Sequence, residues 1–284
     1  MQTRHLRLRP LILALCAFSC SLASAAPPAE SLLKTAEALR AEAEQLAGAR
    51  LRQAVQERAA ALYRHYADTQ SGPDGARALL QAGLLYLDQG GDDNLARALE
   101  CAILLEHRPD GAPFLPEALL MKSNLFRRQK EWGRAVRAAL DCADRFPRHE
   151  CAPRALFEAA QLFETSIRNP SEAETQYGRI LAEYPHSPMA PEALMARAGL
   201  RTQARQYPEA IADCLAVADD YPDCERADQA LFDAITLYDS RLRDFPGAYE
   251  LCVRFRTQFP HSSRLKRVEQ IETRTLKYVS DSQR

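Results

Sequence analysis

The side chains with the widest chemical reach in this sequence are its cysteines. The chain of 284 residues carries eight. Cys16 and Cys20 lie in an apolar N-terminal run; Cys101, Cys142, Cys151, Cys214, Cys224 and Cys252 are spread through the rest. Thiols can form disulfides, ligate metals or attack as nucleophiles. Metal ligation by short motifs needs paired ligands, and the sequence has no Cys-x-x-Cys and no His-Glu-x-x-His among its six histidines. Gly-x-Ser-x-Gly and glycine-rich phosphate loops are absent as well. Acids are abundant but interleaved with arginines, as around Glu100 and Glu117, the pattern of solvated helix faces. No catalytic residue, metal or cofactor is therefore expected, and an enzyme is not the reading.

Cys20 has one further chemistry open to it. Arg4, Arg7 and Arg9 precede the apolar run Leu11 to Leu22, and Ala23-Ser24-Ala25 follows as a small-x-small cleavage pattern. This predicts a secretory signal over 1–25, cut after Ala25, too short for a membrane-spanning helix. The alternative is a lipoprotein signal with Cys20 as the lipidated, membrane-anchored N-terminus. Ala17-Phe18-Ser19-Cys20 fits that less well, since Phe18 is bulky where a small residue is usual. A periplasmic or secreted location follows from the first signal, and membrane attachment only from the second.

The elements that must position the remaining residues are repeats. Pro109, Pro147, Pro185, Pro222 and Pro260 close similar segments and are spaced 38, 38, 37 and 38 residues apart. Twelve residues before the last four stand Ala135, Ala173, Ala210 and Ala248. Nine residues after three of them stand Leu156, Leu194 and Leu231, and Leu119 follows Pro109 by ten. Each unit reads as two helices, the first with apolar residues at helical spacing and the second ended by proline. One pair cannot bury its apolar face, so neighbouring pairs must stack. Composition agrees, with 46% hydrophobic residues, 26% charged and only 11 glycines. A net charge of −1 and the lack of a basic stripe argue against nucleic acid.

With Leu156-x-x-Ala159-Ala160, the aromatics Phe126, Phe163 and Tyr238, the alanines and the closing prolines, the chain resembles the tetratricopeptide repeat family. The Tyr-Pro-x-Ser-x-x-Ala style after Tyr184 is similar to a bacterial envelope type. That type includes the periplasmic coordinator of the Tol–Pal system and the repeat lipoprotein of outer-membrane β-barrel assembly. The resemblance implies an all-α fold: a right-handed α-α superhelix of about five helix pairs, with N-terminal helices and a C-terminal capping helix. The domains expected are a signal at 1–25, a helix pair or degenerate repeat at 26–74, the solenoid at 75–262, and a cap and tail at 263–284.

It implies a function too: an exported adaptor or scaffold in the cell envelope that binds other proteins. A lipid-anchored assembly component and an accessory module acting on cell-wall polymer are the alternatives, and homo-oligomers through the N-terminal helices are open. In this family the first helices line a concave groove. The position after each first-helix leucine is Leu80, Leu120, Phe157, Met195 or Phe232, an apolar ladder, with Asn124, Arg127, Gln161 and Gln229 beside it. The ladder either grips a peptide or helix or is buried between helices, and apolar stripes are more often core. Trp132, Tyr207 and Phe245 share one turn position, which favours packing for the lone tryptophan. Cys101, Cys214 and Cys252 stand eight residues before a proline and Cys142 five before, all core positions in this register. Cys151 and Cys224 fall in inter-repeat loops. Cys142 with Cys151 is the candidate disulfide, because that loop returns beside the last turn of the preceding helix; Cys214 to Cys224 is a longer reach.

Overall fold

The computed structural model describes residues 29–282, with side chains placed through Val279. The signal over 1–25, cleavage after Ala25 and lipidation of Cys20 lie outside the described residues. Among the described residues every regular element is helical. Helices α1 (Ala29–Gln45) and α2 (Ala49–Thr69) pack on each other and are parted at Gly48. Five pairs follow: α3 (Pro73–Gln89) with α4 (Asp92–His107), α5 (Leu115–Arg128) with α6 (Trp132–Arg145), α7 (Cys151–Leu162) with α8 (Pro170–Glu183), α9 (Met189–Gln203) with α10 (Tyr207–Asp220), and α11 (Ala227–Leu237) with α12 (Phe245–Gln258). Helix α13 (Leu265–Ser282) closes the row against α12. The first helix of the first pair begins at Pro73, two residues before the boundary expected at 75.

The chain is an all-α solenoid in which each helix packs on the next, and α3 on α5, α5 on α7 and α7 on α9. The repeated residues explain that packing. Ala135, Ala173, Ala210 and Ala248 are all fully buried where the second helix crosses its neighbours. Leu119, Leu156, Leu194 and Leu231 are buried too, each contributing about 1.5–3 kcal/mol. The prolines end the second helices through the residue before them. Phe146, Tyr184, Tyr221 and Phe259 leave the helical region with ψ of 54°, 51°, 52° and 57°, as steric conflict with the proline ring requires. Trp132 opens α6 and packs half-buried against the N-terminal core.

Neighbouring pairs are also tied by polar struts that recur one repeat apart. Tyr184 Oη donates to the Pro147 carbonyl at 2.9 Å, and Tyr221 Oη to the Pro185 carbonyl at 2.6 Å. Arg179 Nη2 reaches Asp144 Oδ1 at 2.9 Å, Arg254 pairs with Asp219 in the same way, and Arg274 of α13 pairs with Asp239 just past α11.

Within each of the last four pairs, the turn between helices holds a cation in the left-handed region. Lys130, Arg168, Arg205 and Arg243 have φ of 61°, 60°, 61° and 54°. A side chain there costs roughly 1–2 kcal/mol, offset by the backbone bond that the following amide makes back to the first helix. Glu131 and Gln206 donate five residues back, to Phe126 and Arg201, both at 2.8 Å. Asn169 and Asp244 donate six back, to Phe163 and Tyr238, at 2.8 and 3.0 Å. The extra residue in those two repeats is absorbed by π turns over Phe163–Ile167 and Tyr238–Leu242. The same two repeats cap their second helix with a side chain: Asn169 accepts from the Glu172 amide and Asp244 from that of Gly247.

After Pro109 a 3-10 turn, Pro109–Phe114, supplies the residue that sets Leu119 ten beyond its proline. Gly111 is buried in it, and a Cβ there would lie 2.1 Å from the Leu105 carbonyl oxygen.

Candidate functional site

The first helices α7, α9 and α11 stand side by side and leave a groove of about 730 Å³ between them. Phe157 and Met195 supply its apolar wall, both half-buried, with Tyr177 from α8 behind them. The Phe157 and Tyr177 rings meet at 5.6 Å between centroids, tilted by 57°. Gln161 and Gln229 line the same groove, as do Thr202 and Thr236. Around them sit Glu164, Asp233 and Arg241, and Glu192 and Arg226, which pair at 3.0 Å.

The expected ladder is therefore divided. Its middle rungs, Phe157 and Met195, face the groove. Leu80 and Leu120, 5% and 7% exposed, belong to the core instead. There α3 and α5 pack tightly inside the core: a Cβ on Gly83 would lie 2.7 Å from the buried Met121 Sδ. Leu120 and Asn124 border a smaller recess of about 340 Å³. Asn124 Nδ2 donates to Glu158 at 3.2 Å, and Arg127 Nη2 donates to Asn124 Oδ1 at 2.6 Å. The last rung, Phe232, packs into the cluster of Leu231, Ile235, Cys252, Phe255 and Val268, with the Arg267 guanidinium of α13 5.3 Å from its ring centroid.

The charged groove residues carry information the ladder did not. Asp233 follows Phe232 as Glu158 follows Phe157, so inspecting the position after each rung would have found it. Burial raises the Asp233 carboxyl above its ordinary value, against the opposing pull of Arg264 and a hydrogen bond from Gln229. Glu164 instead accepts the phenolic proton of Tyr177 at 2.9 Å.

A raised acid destabilises the fold when charged. That cost is absent below the unfolded pKa, grows as pH rises through the two values, and is complete above the folded one. Asp233→Asn is accordingly expected to melt higher than wild type at neutral pH, with the gap closing as pH falls below the ordinary carboxylate range. Melting curves across pH check this; equal melting at neutral pH would mean that Arg264 cancels the burial cost.

The bridge expected between Cys142 and Cys151 is not formed: both are free thiols, like the other four described cysteines. Cys142 is fully buried and spends its proton on the Pro116 carbonyl at 3.4 Å, while Cys151 opens α7. Burial pushes Cys142 up to about 12, and burial together with Glu117 pushes Cys151 up to about 11, so neither is an activated nucleophile. Cys101, Cys214 and Cys252 are buried in the core positions their register predicted.

No family model matches the chain, and no curated protein does. Among solved structures it is similar to a tetratricopeptide repeat protein from Parabacteroides merdae, at 17% identity over 72% of this chain and 78% of that one, with a TM-score of 0.48. It is also similar to PilF of Pseudomonas aeruginosa, at 14% identity over 84% and 99% with a TM-score of 0.48. BtubC from P. vanneervenii gives 15% over 82% and 91% with a TM-score of 0.49. The fold is a tetratricopeptide-like solenoid, a class that rests on the helix-pair packing and the buried register residues described above.

Proposed function

We propose that this protein is an exported adaptor that holds a segment of another protein in the groove across α7, α9 and α11. The groove itself carries the reading. Phe157 and Met195 offer an apolar strip for a peptide or amphipathic helix, and the amides and hydroxyls of Gln161, Thr202, Gln229 and Thr236 offer partners for a guest's polar groups. Asp233 adds a carboxylate whose charge is poorly compensated, so a lysine or arginine of the guest recovers the cost of keeping it. Export rests on the apolar run and small-x-small pattern over 1–25.

The test is capture from the native host with a C-terminal tag and crosslinking, comparing wild type with Phe157→Glu, Met195→Glu. Both positions are half-buried at the groove wall, so the variant keeps its helicity by circular dichroism and loses the partner. A partner retained by the folded variant, or no specific partner with wild type, sinks the groove reading.

A further inference from the structure

Away from the groove, the joint between the second and third pairs gathers three ligating groups. Glu117 lies in the first turn of α5, His149 in the loop after α6, and Cys151 at the first residue of α7. One ligand atom from each lies within 4.8 Å of those of the other two. His149 Nε2 is 3.8 Å from Glu117 Oε1. In a tetrahedral site with bonds of about 2.0–2.3 Å, ligand atoms stand roughly 3.3–3.8 Å apart, so small side-chain shifts close the set.

A second observation points to a cation. The other carboxylate oxygen, Glu117 Oε2, is buried without a hydrogen-bond partner. Buried oxygens are almost always satisfied, and a positive ion at this corner would satisfy this one. His149 has the freedom to join. Its Nδ1 accepts only one long bond, 3.3 Å from the Cys151 amide at the open end of α7.

We propose that Glu117, His149 and Cys151 form a zinc site that clamps the second helix pair to the third. One imidazole nitrogen, one thiolate sulfur and one carboxylate oxygen are the donors zinc takes in combination, whereas magnesium and calcium take oxygen alone. Three protein ligands leave the fourth position to water or to a group from a partner. On binding, the Cys151 thiol gives its proton to solvent. If the ion sits on Nε2, the imidazole proton moves to Nδ1 and the bond from the Cys151 amide is given up. Cys142 lies beneath but is already committed to the Pro116 carbonyl, so it stands outside the ligand set.

The test uses the full chain freed of metal with a chelator. Zinc titrated by calorimetry is expected to bind one to one and to raise the melting temperature. Cobalt in its place gives the charge-transfer absorption of a thiolate ligand. His149→Ala and Cys151→Ser are expected to lose the one-to-one binding and the zinc-dependent rise, with helicity unchanged, and Glu117→Gln to weaken it. Cys142→Ser is expected to bind like wild type. Wild type without saturable binding or without the cobalt–thiolate band overturns the site, and that measurement holds even if a variant fails to fold. Binding that survives Cys151→Ser, or is lost in Cys142→Ser, overturns this ligand set.

Discussion

Asp213→Ala is expected to lower stability by about 3–5 kcal/mol, the largest effect of any single polar substitution here. Asp213 is 3% exposed on α10 and accepts from two arginines of α9. Arg197 reaches it at 2.6 and 3.0 Å and Arg201 at 2.9 Å. Arg201 also pairs with Glu174 of α8 at 2.7 Å, so the network of two carboxylates and two arginines joins three helices across two pairs. Both guanidiniums are mostly buried, with about a fifth of each side chain exposed. Deleting the carboxylate strands the Arg197 charge with no other acid and leaves Arg201 with Glu174 alone. The cost arises from uncompensated charge in a desolvated place, more than from any large intrinsic worth of the ion pair. Urea denaturation measures it. Asp213→Asn, which keeps the shape and one acceptor, should recover part of the loss. A drop below about 1 kcal/mol for the alanine variant would place the network in solvent-screened surroundings.

Phe255→Ala is expected to cost about 3–5 kcal/mol through a different mechanism. Phe255 is fully buried on α12 in one core cluster with Leu231, Ile235, Cys252 and Val268, with the Phe259 ring 5.5 Å away between centroids. Val268 belongs to α13, so the ring is the peg that holds the cap to the last pair. Truncation removes apolar contact and leaves a cavity whose walls, set by helices on three sides, collapse only in part. The loss should be local as well as global. Amides of α13 and α12 are expected to exchange with solvent faster, while those of α3 to α6 stay near wild type. Uniform acceleration along the whole chain would show that the solenoid unfolds as one unit and would rule out this local account.

The fold was legible because it repeats. One proline spacing placed four alanines and four leucines, and all eight are buried where the register put them. The site was only half legible. A ladder position is the same in every sequence repeat, yet whether it faces a guest depends on how closely the next first helix approaches. Leu80 and Leu120 are sealed into the core, whereas Phe157 and Met195 stay half-buried at the groove wall. Periodicity does not report that distance. For Phe232 the choice between groove and core stayed open for a related reason: α13 lies outside the repeat, and no pattern within the repeat says what the cap covers. Glu117, His149 and Cys151 escaped notice because a proline-ended helix and a loop separate the first from the other two. Their meeting is a product of stacking. The π turns were hidden as well, since one added residue in a first helix leaves the overall period almost unchanged.

The struts from Tyr184, Tyr221, Arg179, Arg254 and Arg274 each join one repeat to the one before it and reach no further. A molecule fastened only between neighbours behaves like a row of dominoes glued edge to edge: its weakest places are its ends, and disturbance travels inward one tile at a time. The wall formed by α11 belongs to the last helix pair among the described residues, next to α13. Breathing at the C-terminal end therefore reaches that wall after a single step, whereas from the N-terminal end it must first cross three sets of helices. The two ends of this chain are unequal guardians of the groove, and the short side is where temperature, force or a bound neighbour would be felt first.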